Sequence, residues 1–288
     1  MATVFFLLDA LRHDYVTEEH MPFLWRAAHE GTHYRRIIPG FGFCERSEIL
    51  TGLTPRESGF FTAIGFDPVN SPYQGARGLS VLHALESLVP KNAALPGRRR
   101  PGGYYRLFRR LADRWLNRND RRPLKSYHIP YRFLPYFALT EDRLDHRLPG
   151  AFPRPSLLDQ MAEAGKSYYY DSFTALNLPS GSSDEDRLQL ALDSSRSGEY
   201  ELFLIFVGEL DSIGHHYGPD SAELHRSLRN LDQRLGRFVQ ALEGNAPGHR
   251  YVFLGDHGMG PVTEMFDAGA AIARHARRLG LKSIRDFL

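Results

Sequence analysis

The chain holds one cysteine, Cys44, so no internal disulfide framework can brace it, which fits a reducing compartment. It lacks a strong charge of either sign: 36 lysines and arginines stand against 34 aspartates and glutamates. Overall charge therefore selects no class of partner, and what counts is where the charges sit. No apolar run approaches the roughly 20 residues needed to cross a bilayer. The opening segment, MATVFFLLDALRHD, has no basic lead and no small-residue cleavage site, and its apolar run stops at Asp9. That run is short for a secretory leader and right for a buried strand. These absences set the expectation of a soluble, cytoplasmic protein whose first strand starts almost at residue 1.

With 288 residues, 42% of them hydrophobic, the chain can bury one large core and carry an insertion. Thr3–Leu8, 203–207 (FLIFV) and 251–254 (YVFL) are nearly unbroken apolar runs, as in strands covered on both faces. Helical patterns fall at 21–30, 80–89, 156–164 and from about 221 to 242. In the last, Leu224, Leu228, Leu231, Leu235, Val239 and Leu242 recur at three- and four-residue steps. Strands alternating with helices predict an α/β fold, a three-layer α/β/α arrangement with a mainly parallel sheet. The expected core is discontinuous, 1–95 and 155–288, and the Pro-, Arg- and Tyr-rich stretch 96–154 is an insertion or cap. Ligand sites of such sheets lie beyond the carboxyl ends of the strands. All three apolar runs end there in polar residues, in LLDALRHD, FVGELDSIGHH and FLGDHGM.

Asp211 and His215 stand four apart, on one side of a helical turn, where both can reach one divalent ion. Asp256 and His257 are neighbours in a glycine-flanked turn that lets both face one cation. Asp9 is a lone carboxylate at the end of the first strand. Oxygen ligands mixed with imidazole suit zinc or manganese better than calcium. Each feature has a plainer reading: an Asp after a strand often caps a helix, and a histidine pair in a loop is often solvated. Their joint placement at three strand ends is what favours ligation.

DSIGHHYGP, GDHGM and LLDALRHD resemble the metal-binding segments of the alkaline phosphatase superfamily, closest to its branch of type I phosphodiesterases and nucleotide pyrophosphatases. TGLTPRESG (51–59) is similar to the segment after the nucleophile helix, and MPFLWRAAHEG (21–31) to the first long helix. The resemblance implies an alkaline phosphatase-like core and a pair of metal ions, typically zinc. By position, Asp9, Asp256 and His257 would hold one ion, and Asp211 and His215 the other. It also implies hydrolysis or transfer of phosphoric esters, with a sulfatase-like hydrolase or a non-catalytic metal-binding member as alternatives.

Two departures from that pattern stand out. The nucleophile is expected nine residues before Thr51, where Gly42 stands. Nearby, Cys44 is the first candidate, since a thiolate at a helix start beside a metal is activated. Ser47 is the second, and metal-bound hydroxide the third. Arg46 matches the position of the sulfatase-type arginine near the nucleophile: it either binds substrate oxygens as a fork or pairs with Glu45 or Glu48 on a helix surface. The other departure is a late metal-ligating histidine: the sequence after DHG offers only His275, among Arg274, Arg277 and Arg278, which reads as a solvated face. The expectation is of a chain lacking its relatives' C-terminal part.

The stretch 98–125, opening on Arg98 and closing on Lys125, holds eleven basic residues against Asp113 and Asp120. Tyr104, Leu107, Phe108, Leu111, Trp115 and Leu116 fall on one helical face, with Arg106, Arg109, Arg110 and Arg114 around it. The plain expectation is that this face packs on the core. The alternatives are an anionic membrane presenting a lipid-linked substrate, a nucleotide steered into the site, or nucleic acid held non-specifically.

Overall fold

The computed structural model describes residues 1–35, 37, 45–60, 64–90, 103–116, 118, 126, 129–139, 147, 150–171, 183–264, 266 and 268–281. In chain order its elements begin with β1 (Thr3–Leu8), α1 (Pro22–Glu30), α2 (Glu45–Thr51), α3 (Pro55–Ser58), β2 (Ile64–Phe66), α4 (Leu79–Leu88) and α5 (Gly103–Leu116). They continue with β3 (Phe137–Leu139), α6 (Leu157–Glu163), β4 (Ser167–Tyr170), α7 (Asp184–Ser195) and β5 (Tyr200–Val207). The last are α8 (Glu209–Tyr217), α9 (Ala222–Asn245), β6 (Arg250–Gly255) and α10 (Ala268–Arg278). Packing divides the chain into two compact units: Met1–Gly59 with Asp145–Thr263, and Phe60–Leu144 with Glu264–Leu288. No helix among the described residues is long and apolar enough to cross a membrane.

The first unit is the expected α/β fold. Its sheet runs β4-β5-β1-β6, with every pairing parallel. On one face of the central strand β1, Val4, Phe6 and Leu8 have no exposed surface; on the other, Leu7 is buried and Thr3 and Phe5 are half-buried. Phe6 stacks on Phe253 at 5.1 Å and meets Phe238 edge-on at 5.4 Å. The stripe Leu224, Leu228, Leu231, Leu235 and Leu242 of α9 is buried in the same core. Each such leucine contributes about 1.5–3 kcal/mol on burial.

Two carboxylates, the buried Asp232 and the half-buried Asp184, fix two helices of this unit. Asp232 of α9 accepts the N–H groups of Phe23 and Leu24, both at 2.9 Å, and so caps α1. Asp184, at the start of α7, accepts those of Gly208 and Glu209 at 3.2 and 2.8 Å, and so caps α8. Each carboxylate satisfies donors that a helix start leaves orphaned.

The second unit has a small antiparallel pair, β2 with β3, and a polar knot under α4 and α5. Glu86 of α4 accepts from Arg109 Nη1 at 2.9 Å, Tyr105 at 2.7 Å and the Tyr131 N–H at 3.1 Å. Burial pushes the Glu86 carboxyl up, but these hydrogen bonds outweigh it and hold it below the usual range. Arg109 also lies over the Tyr131 ring at 4.2 Å. This knot corrects the expected packing of α5. A buried Glu86 requires a cation, so Arg109 and Ala112 turn inward, with Phe108 and Leu116 beside them. Tyr104, Leu107 and Leu111, expected to pack on the core, face solvent instead, while the ring of Trp115 rests over Gly78 and stays partly exposed.

Candidate metal centre

Register brings the strand ends together. Leu8 lies level with Val207 on one side and Gly255 on the other, so Asp9 and Asp256 emerge side by side. The chain then turns sharply at Ala10, whose φ of +60° is a left-handed conformation costly for a residue with a Cβ. Its N–H is held by Asp256 Oδ1 at 3.1 Å, and the same oxygen accepts the N–H of His257 at 2.8 Å.

His257 Nε2 lies 3.0 Å from Asp9 Oδ1 and 4.0 Å from Asp256 Oδ1. One ligand atom from each of Asp9, Asp256 and His257 lies within 4.8 Å of the others. Asp9 Oδ1 is enclosed and, among the described residues, accepts no well-directed hydrogen bond; its histidine contact is an ion pair off the hydrogen-bond line. Buried oxygens are rarely left so, and a cation there would satisfy it. Burial, then the nearby charge of Asp9, pushes Asp256 up to about 6. Contact with Asp9, reinforced by Asp256, raises His257 to about 9 against the opposing effect of burial. Without a metal, the imidazolium is the cation of this cluster.

Asp211 and His215 lie on α8, with His215 Nε2 3.3 Å from Asp211 Oδ1. Burial first, and then the charge of Asp9, raises the Asp211 carboxyl. A Cβ on Gly214 would stand 2.7 Å from the sulfur of Met259, so glycine allows the segment after DHG to rest on α8. Arg12 ties this segment down by donating to the Met259 carbonyl at 3.0 Å, and Tyr15 donates to the Pro219 carbonyl at 2.7 Å. The structure thus brings Asp9, Asp256 and His257 together and sets the Asp211–His215 pair within electrostatic reach of Asp9.

Gly42 and Cys44 lie outside the described residues. Arg46 is half-buried on α2, and Ser47 beside it has no exposed surface. His216 is exposed and packs against Tyr217, and His275 is exposed on α10. The positioning roles of Asp184, Arg12 and Met259 were not read from the sequence. Asp184 stands in SSDED, which reads as an ordinary cap for its own helix, and nothing there marks its reach to the next one.

A parallel sheet with this acidic, imidazole-bearing edge is the core of the alkaline phosphatase superfamily. Within it, the chain belongs to the family described as Type I phosphodiesterase / nucleotide pyrophosphatase, whose sequence model matches residues 3–285. An uncharacterized pyrophosphatase/phosphodiesterase of Schizosaccharomyces pombe is 25% identical over 95% of this chain and 49% of its own length. The catalytic subunit of human GPI ethanolamine phosphate transferase 3 is 27% identical over 41% of this chain and 9% of its own. Human ectonucleotide pyrophosphatase/phosphodiesterase family member 7 is 33% identical over 22% of this chain and 14% of its own. The chain thus spans about half the length of the yeast relative.

Proposed function

We propose that this chain hydrolyses phosphoric diesters or pyrophosphates, or transfers their phosphoryl groups, at a centre of two divalent cations, with zinc ahead of manganese. The observation that carries the reading is the convergence of Asp9, Asp256 and His257 at one sheet edge, with an enclosed Asp9 oxygen that lacks a directed partner among the described residues. The relatives' names, pyrophosphatase and phosphodiesterase, point to the same substrate class.

Asp9, Asp256 and His257 would hold one ion, and Asp211 and His215 the other. When bound, such a pair clamps the attacking and leaving oxygens of an in-line displacement. The chain's own residues prepare that chemistry. Asp9 and Asp256 concentrate negative charge where cations enter, and the Ala10 and His257 N–H groups aim the Asp256 carboxylate. The α8 cap and the Met259 contact hold Asp211 and His215 at the same edge. Cys44 is the attacking group in this reading, since Ser47 is enclosed on α2, and Arg46 binds substrate oxygens as a planar fork.

Hydrolysis of bis(p-nitrophenyl) phosphate by the zinc-loaded protein tests the proposal. Turnover abolished by Asp256→Ala, with two equivalents of bound zinc in the parent protein, supports it. No turnover of any anionic ester overturns it, and one equivalent of bound zinc would then mark a metal-binding member without catalysis.

A further inference from the structure

Helix α5 is turned so that its apolar stripe is largely exposed, with the Trp115 ring resting one side on Gly78. Tyr104, Leu107, Leu111 and Trp115 are 39, 42, 54 and 43% exposed, in a row at helical spacing of three and four. Arg106, Arg110 and Arg114 form a second exposed row along the edge of that stripe. Arg118 follows, its guanidinium over the Trp115 ring at 4.7 Å. Neither α4 nor α5 answers these cations with an exposed acid. Glu86 is buried against Arg109, and Asp113 accepts from Tyr131 and Ser126. On α4, Val81, Leu85 and Leu88 are also exposed, at 63, 47 and 80%.

We infer that α5 is a membrane-docking helix that lies in the interface of a bilayer rich in anionic phospholipid. The apolar row enters the acyl boundary, and the arginine row meets the headgroup phosphates. An aromatic residue stands at each end of the stripe, Tyr104 in the first turn and Trp115 in the last, a side-chain type favoured at headgroup depth. A nucleic acid would use the arginines and stack on Tyr104 and Trp115, but would leave Leu107 and Leu111 in water. The single sign of the exposed charge on α4 and α5 favours a uniformly anionic surface over a protein partner. This docking is independent of the chemistry at Asp9 and Asp256.

Trp115 and Trp25 are the chain's two tryptophans, so the Trp25→Phe protein reports on the helix alone. Added phosphatidylcholine vesicles containing phosphatidylserine should shift Trp115 emission to the blue, and brominated acyl chains should quench it. Pelleting with these vesicles should weaken with salt and fall about fivefold for each arginine removed, roughly a hundredfold for Arg106, Arg110 and Arg114→Gln together. Leu107→Gln with Leu111→Gln should abolish the quenching. The arginine and leucine side chains are exposed and Trp25→Phe keeps an aromatic ring, so the variants keep the fold. Equal pelleting on pure phosphatidylcholine, unquenched Trp115, or binding to single-stranded DNA without binding to vesicles would each overturn the inference.

Discussion

A Cβ on Gly255 would stand 2.1 Å from the carbonyl oxygen of Leu11, far inside contact distance. The chain leaving β1 therefore crosses directly over the end of β6, one residue before Asp256. Gly255→Ala must push these segments apart, at a cost of about 1–3 kcal/mol or more. Urea unfolding of the metal-free protein should show the loss, and zinc binding should weaken with it. An unchanged midpoint would mean that the crossing yields freely.

In the metal-free protein His257 is protonated at neutral pH, because its value is raised to about 9. Ligation needs the neutral ring, so zinc uptake at pH 7 should release protons, and affinity should climb from pH 7 towards 9. Below about 6, protonation of Asp256 should weaken binding further. Calorimetry in buffers of different ionisation enthalpy counts the protons. Uptake without release at pH 7 would remove His257 from the ligand set.

Asp184 caps α8 from outside the helix through two N–H groups. Asp184→Ala should cost about 1–2 kcal/mol and loosen the hold on Asp211 and His215. Stoichiometric zinc titration should then show one equivalent weakened more than the other, while Glu185→Ala next to it leaves both intact.

Glu86 lies below its ordinary value in the folded protein. Its ionised form thus contributes stability that is complete above the usual carboxylate range and lost as pH falls through the folded value. Glu86→Gln leaves Arg109 buried without a counter-charge, so at pH 7 the second unit should lose about 3–5 kcal/mol. Its acid denaturation profile should flatten over the range where the parent protein loses stability, as measured by circular dichroism.

The core of the first unit was readable because apolar runs and helical spacing are local signals. Thr3–Leu8 matches β1 residue for residue, and the pattern from about 221 to 242 lies within α9. The family likeness was equally legible, since DSIGHHYGP and GDHGM keep chemistry and spacing together. What periodicity missed was the facing of α5. Its stripe looked like a core face because hydrophobicity alone ranks leucine and tryptophan inside. The buried Glu86, a distant residue that the pattern cannot see, turned the helix the other way. The α8 cap escaped for the same reason: a carboxylate that serves another helix looks like any residue at the start of its own.

The placement of β1 at the centre of its sheet carries a cost during synthesis. Its partners β5 and β6 begin at Tyr200 and Arg250. At about 5–20 residues per second, the first strand emerges about 10–40 s before either neighbour exists. Through that interval one of the most apolar segments of the chain has no edge to join. The sheet therefore cannot close around its central strand until most of the unit has been made.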